Sequence, residues 1–197
     1  RAAEAAALRT TLGVPEGHHL LLAVGRLAAR KGYATLIDGF AVLREQRNDV
    51  HLAIVGRGHL KARLLRHAAK RGVSDGIHIE SSLPFEALAD AYRAADLVVF
   101  PSLYEGLGMI PIEAMASGTP VVTVDHGPMP ETVDATTGAL YPVGDHEAFA
   151  RAVSGELSDD EARAAKGLAG REKVLERFTM AREVEAYLSA YARARGN

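Results

Sequence analysis

Leu97-Val98-Val99-Phe100 is followed by Pro101-Ser102-Leu103-Tyr104-Glu105-Gly106-Leu107-Gly108, then by Met109-Ile110-Pro111-Ile112-Glu113-Ala114-Met115-Ala116-Ser117-Gly118, and then by Val121-Val122-Thr123-Val124. The first four residues form an unbroken apolar run rich in β-branched side chains, which suits a strand buried on both faces. Two glycines then mark a sharp turn, and the apolar-rich stretch after them reads as a helix over 107–117. The run 121–124 repeats the strand signal. Strand, glycine turn, helix, strand is a unit whose two strands must lie parallel, because the helix carries the chain back to the starting edge.

The same rhythm extends upstream. His19 to Val24 (HLLLAV), Val50 to Val55 (VHLAIV) and Ile77 to Glu80 read as further strands. Helical patterns fill the gaps: Leu36, Ile37, Phe40 and Leu43 form one apolar stripe, and 61–70 and 85–93 supply the next two. Strands alternating with helices of about ten residues, joined by right-handed crossovers, imply a Rossmann-like, doubly wound parallel sheet. Beyond Gly144 the pattern is helical only, over 145–154, 161–177 and a last segment with Val184, Tyr187, Leu188 and Tyr191 at i, i+3, i+4 and i+7. That final stripe needs a surface to cover it. With no repeat or low-complexity linker, residues 1–197 read as a single domain.

Composition bounds the rest. The chain is 48% hydrophobic and 24% charged, with a net charge of -2, so nothing favours nucleic acid or an anionic membrane as partner. There are no cysteines, which excludes disulfides and thiolate metal sites; the histidines show no metal-ligand spacing. No apolar run approaches the roughly 20 residues of a membrane span. The first residue is Arg1 rather than Met, which suggests a fragment. The expected location is the cytoplasm.

In an open parallel sheet, ligands bind beyond the carboxyl ends of the strands, so candidate residues are sought there. Gly25 follows the first strand, and Arg26 and Lys31 lie on the loop after it, five positions apart. Two cations at one crevice suit a diphosphate; the alternative is two solvated surface charges. Glu105 precedes the glycine turn, and Glu113 lies within the helix that follows. That helix N-terminus offers free N–H groups and a positive dipole end to an anion, while the glutamates suit hydroxyl donors. The alternative is a helix-capping Glu105 and a surface Glu113. Gly56-Arg57-Gly58 is either a ligand loop or a tight turn. The segment 125–131 is either a crevice loop or a proline-stiffened connection. His18 and His19 are expected to face solvent.

Taken together, VGRL(x4)KG, the GxG after the second strand, and E-G-L-G-M-I-P-I-E-A-M-A-S-G-T-P-V-V resemble family 4 of the retaining GT-B glycosyltransferases, the group 1 transferases. The likeness spans roughly residues 12–190. It implies that Gly25, Arg26 and Lys31 meet the diphosphate of a nucleotide-sugar donor, and that the two cations stabilise charge on the leaving nucleotide. It further implies that Glu105 positions the sugar, that the amides of Gly106, Leu107 and Gly108 meet phosphate, and that Glu113 takes the ribose. The segment holding Ile79, Ser81 and Leu83 matches the one whose backbone reads the base. Arg26, Lys31 and Glu105 would then be the catalytic set, with no cofactor and no metal needed for binding. The family also implies a preceding acceptor domain that this chain lacks, through which peripheral membrane contact would occur.

Two departures stand out. Gly127-Pro128-Met129-Pro130-Glu131 replaces the family's Gly-Gly-x-Pro-Glu, removing a donor N–H, and Arg57 stands where an acidic residue is common. Two other functions remain open on the same architecture: a sugar-nucleotide epimerase or hydrolase, and a non-catalytic nucleotide-sugar-binding module.

Overall fold

The computed structural model describes residues 2–195. An Ala-rich helix α1 (Ala2–Thr11) leads into β1 (His19–Val24), and a 3-10 turn over Ala29–Lys31 precedes α2 (Tyr33–Gln46). Then come β2 (Val50–Val55), α3 (Lys61–Arg71), β3 (Ile77–Glu80), α4 (Phe85–Ala94), β4 (Leu97–Phe100), α5 (Met109–Ala116) and β5 (Val121–Val124). A short α6 (Met129–Thr132), β6 (Gly138–Tyr141), α7 (His146–Leu157), α8 (Asp160–Arg177) and α9 (Met180–Arg195) complete the chain.

The six strands form one sheet in the order β3-β2-β1-β4-β5-β6, and every neighbouring pair is parallel. This is the doubly wound arrangement, with the order reversing between β1 and β4. The apolar runs have the burial expected of central strands: 20–24, 50–55, 97–100 and 121–124 are buried throughout. One helical layer joins α2 to α3 and α7; the other joins α1, α4, α5 and α8. The α2 stripe packs inward as its spacing predicts, with Leu36, Ile37, Phe40 and Leu43 all buried.

Three expectations need correction. Only five strands are legible in the sequence, yet β6 is a sixth. Its sequence is Gly-Ala-Leu-Tyr, it sits at the sheet edge, and two of its four residues are only half-buried, so it lacks the long apolar signal. The segment after β5 is not a plain loop but holds the turn of α6. The helix expected from residue 107 starts at Met109, because Gly108 takes a left-handed φ of 79° at the N-cap.

The histidines also depart from expectation. His19 is only 20% exposed in its side chain and lies 3.8 Å from both Asp49 and Asp96. His18 Nδ1 is 3.1 Å from His51 Nε2, and the His51 ring stacks on His78 at 6.3 Å. Burial, followed by the positive fields of His18, Arg44 and His78, lowers the His51 pKa, with Asp75 opposing. The native state therefore holds His51 neutral while the unfolded chain takes up a proton below about pH 6.5. Stability should consequently fall as pH drops through that value. Urea denaturation from about pH 7 to about pH 5 should show a smaller loss for His51→Phe than for the unaltered chain; equal losses would remove His51 from the explanation.

Asp96 ties the amino-terminal edge of the sheet together. Its carboxylate accepts from the Leu20 N–H at 2.7 Å and from Arg9 at 3.1 Å, and lies 3.5 Å from Arg163. One residue thereby links α1, β1 and α8. No helix among the described residues is long and apolar enough to cross a membrane.

Candidate active site

The carboxyl edge is built from loops that hold one another by backbone hydrogen bonds. Gly25, with φ 141°, turns the chain off β1. Its N–H donates to Val55 O at 3.0 Å, and Leu27 N–H donates to Arg57 O at 2.8 Å. Gly56 N–H donates to Glu80 O at 2.8 Å, so the loops after β1, β2 and β3 form one connected rim. Across the reversal in strand order, Leu103 N–H donates to Arg30 O at 2.9 Å. The loop after β1 is therefore fixed against the loop after β4.

That junction brings two sequence-predicted residues together. The Lys31 ammonium donates to Glu105 Oε1, and Ser102 Oγ donates to the same oxygen at 2.5 Å. Both charged side chains are largely sheltered, at 15% and 16% exposure. Lys31 Nζ also lies 5.6 Å from the centre of the Phe100 ring, within cation–π range. Glu105 does not cap α5: the N-cap is Gly108, and no side chain accepts there. The N–H groups of Gly106, Leu107 and Gly108 make no hydrogen bond among the described residues, leaving the positive end of α5 open to an anion. Arg26 behaves differently from Lys31: it is exposed, and its side chain has no partner among the described residues.

Glu113 is half-buried inside α5 and is not a free surface group. Tyr92 OH donates to its Oε2 at 2.8 Å, and Thr119 Oγ1 donates to the Tyr92 carbonyl at 2.6 Å. Burial, then Glu113 and Tyr33, push the Tyr92 phenol well above its ordinary pKa. Burial and then Glu105 do the same to Tyr33. The two tyrosines stay protonated, and Tyr92 is a hydrogen-bond donor to Glu113. One oxygen of each glutamate is thus occupied by the protein: Oε1 of Glu105 and Oε2 of Glu113. The other oxygen of each is left for hydroxyl donors.

On the β3 side, Ile79 and Leu83 are half-buried against the core. Ser81 Oγ accepts from Lys61 Nζ at 3.1 Å. Arg57 donates to Ser82 Oγ at 2.8 Å, which places this cation on the rim beside the loop after β3. Opposite, the segment after β5 borders Glu105. A cavity of about 150 Å³ is lined by Tyr104, Glu105, His126, Gly127 and Met129. The departure at Gly127-Pro128 therefore stands at the site and not on a remote connection. Sequence reasoning missed Ser102, Tyr33 and Tyr92. Ser102 stands two residues after β4 and had a positional signal; the tyrosines look like ordinary core residues. Among the described residues, no group of three or more His, Asp or Glu is placed to hold a metal ion.

Residues 5–173 match the family model described as Glycosyl transferases group 1. The chain belongs to that family. A mannosylfructose-phosphate synthase from Agrobacterium fabrum is 42% identical to this group 1 chain over 130 residues, covering 62% of the chain and 29% of that protein. A D-inositol 3-phosphate glycosyltransferase from Thermobispora bispora is 33% identical across 98% of the chain and 48% of its own length. Among solved structures, the sucrose-phosphate synthase of Thermosynechococcus elongatus superposes with a TM-score of 0.82 at 30% identity. That match covers 98% of this chain and 49% of the other. The Rossmann-like sheet thus matches GT-B glycosyltransferase structures. The group 1 chain spans about half, or less, of the length of the relatives it matches.

Proposed function

We propose that this chain is the donor-binding half of a retaining glycosyltransferase that takes a nucleotide-diphosphate sugar. The observation that carries the reading is the Lys31–Glu105 pair beside the uncapped N-terminus of α5. A diphosphate laid across that end meets the Arg26 guanidinium, the Lys31 ammonium and the free N–H groups of 106–108. Lys31 donates one of its three hydrogens to Glu105 and keeps two for phosphate oxygens. As the bond between sugar and diphosphate breaks, negative charge grows on the leaving phosphate. Arg26, Lys31 and the helix end stabilise that charge more than they stabilise the intact donor. These groups do what a divalent cation does at other phosphate sites, so donor binding needs no metal.

Glu105 Oε2 accepts from sugar hydroxyls, and Glu113 Oε1 accepts from the ribose. The backbone from Ile79 through Ser81 to Leu83 lies where the base is read. Transfer itself takes place in a cleft against an acceptor domain in the part of the protein that this chain does not span. On α9, Val184, Tyr187, Leu188 and Tyr191 are 49–66% exposed and form the surface that docks there. The intact enzyme works in the cytoplasm, with any membrane contact made through that other part.

Two tests follow. Incubated with its preferred donor and an acceptor panel, the 197-residue chain should bind donor without transferring sugar. Robust transfer, or rapid release of free sugar as from a hydrolase, would contradict this reading. Separately, Glu113→Ala should weaken a nucleoside diphosphate that lacks sugar, and Tyr92→Phe should follow it more mildly, because the phenol holds Glu113 in place. Glu105→Ala should mainly weaken the intact sugar nucleotide. Each loss should be about 1–2 kcal/mol by calorimetry. Equal losses for both ligands in all three variants would refute the division of labour.

A further inference from the structure

A second cavity, of about 520 Å³, lies between the first turn of α2 and the flank of α3, with Leu103 at its edge. None of Arg26, Lys31, Glu105 or Glu113 lines it, but Gly32, Tyr33 and Leu103 do, so it adjoins the donor site behind the loop after β1 while using different cations. One wall is a row of cations: Arg63, Arg66 and Lys70 stand at i, i+3 and i+7 on a single face of α3 and all line the cavity. These three are exposed, and their side chains have no hydrogen-bond or ion-pair partner among the described residues. The nearest carboxylate on the facing helix, Asp38, is already taken by His67 at 2.8 Å and Arg71 at 3.2 Å. The wall's charge is therefore uncompensated in a chain whose net charge is -2.

Small residues, among them Ala29, Ala34 and Thr35, line the opposite wall beside Tyr33. They leave the backbone of the first turn of α2 accessible. That turn has no acidic residue and no side-chain cap, and its residues Tyr33, Ala34 and Thr35 line the cavity, at the positive end of the helix. Three mutually repelling cations on one helix face lower the stability of the unliganded chain, and an anion of more than one charge relieves that repulsion. A carboxylate would satisfy one cation; a phosphate dianion satisfies two or three and accepts from backbone N–H as well. The volume exceeds that of a bare phosphate and falls in the range of small-molecule sites.

We propose that this cavity is a binding site for a phosphomonoester, held by Arg63, Arg66 and Lys70 on one side and the first turn of α2 on the other.

Amide chemical shifts of the 15N-labelled 197-residue chain give the test. Inorganic phosphate and glycerol 3-phosphate are the soluble probes, and phosphatidylcholine vesicles containing phosphatidic acid are the lipid probe. The Ala34 and Thr35 amides should shift saturably with at least one of these probes. Which probe acts tells a free phosphomonoester from a lipid headgroup. The triple variant Arg63→Gln, Arg66→Gln, Lys70→Gln should bind that probe about tenfold more weakly or worse while its other amide resonances stay in place. Arg26→Ala should retain the shifts, because that exposed, unpaired cation belongs to the donor site and its loss leaves the loop in place. Equal shifts from sodium chloride at matched ionic strength, full binding by the triple variant, or loss of binding in Arg26→Ala would each overturn the proposal.

Discussion

Lys31→Ala should weaken nucleoside-diphosphate binding by about 1.5–3 kcal/mol, the range for a charged hydrogen bond, and should also lower thermal stability. Arg26→Ala should have the first effect without the second. From sequence, both cations are loop residues whose removal leaves the fold untouched. Lys31 instead pairs with Glu105, and each side chain is only about one-sixth exposed, at 15% and 16%. Removing the ammonium leaves the Glu105 carboxylate sheltered with Ser102 as its remaining partner. A fully buried orphan charge would cost about 3–5 kcal/mol; the residual solvent contact here reduces that to about 1–2 kcal/mol. Arg26 is exposed and unpaired among the described residues, so its loss leaves no orphan. Calorimetry with thermal denaturation of the two variants separates the effects. A Lys31→Met, Glu105→Gln double variant should regain stability but not phosphate affinity. If Lys31→Ala melts at the wild-type temperature, the ion pair is not holding the loop.

Gly56→Ala should destabilise the chain by about 3 kcal/mol or more, and any folded remainder should bind donor poorly. A Cβ built at this position would sit 1.8 Å from the Gly25 carbonyl oxygen. The obstacle is backbone, so no side chain can swing aside. The only relief is to separate the loops after β1 and β2, which breaks the bonds from Gly25 N–H to Val55 O and from Leu27 N–H to Arg57 O. Arg26 lies between those two donors and moves with them. Gly72→Ala is the control. Gly72 also has positive φ, at 73°, but nothing lies within 4 Å of its added Cβ. Its cost should be the left-handed strain alone, about 1 kcal/mol. Chemical denaturation of both variants measures the difference, and equal costs would mean that close packing of the rim loops is not what Gly56 provides.

Much of this fold is legible because its central strands are short, largely apolar runs that end at Gly25, Gly56, Pro101 and Asp125. HLLLAV, VHLAIV, LVVF and VVTV could hardly lie elsewhere than in a doubly covered sheet. The sequence hid β6 because an edge strand of Gly-Ala-Leu-Tyr has neither length nor alternation. Most of the site residues are legible because they lie in the loops after strands, with Ile79 inside β3 and Glu113 inside α5. Their partners are not, since hydrogen bonds such as Tyr92 to Glu113, 21 residues apart, or Lys31 to Glu105, 74 apart, depend on the strand order. Sequence spacing also treats Lys31 and Arg26 as equivalent, whereas only Lys31 meets the loop after β4. The histidines look solvated for the same reason: His18, His51 and His78 become neighbours only once β1, β2 and β3 lie side by side.

The most direct measurement is calorimetric titration of this chain with UDP-, GDP-, ADP- and TDP-sugars, repeated for the Arg26→Ala, Lys31→Ala double variant. At least one donor should bind the unaltered chain without added metal and in the presence of a chelator. The double variant should lose at least about 3 kcal/mol of that binding, the sum expected for two charged hydrogen bonds. Binding of every donor class failing, or the double variant binding as tightly as the parent, would contradict a nucleotide-sugar site at this edge of the sheet.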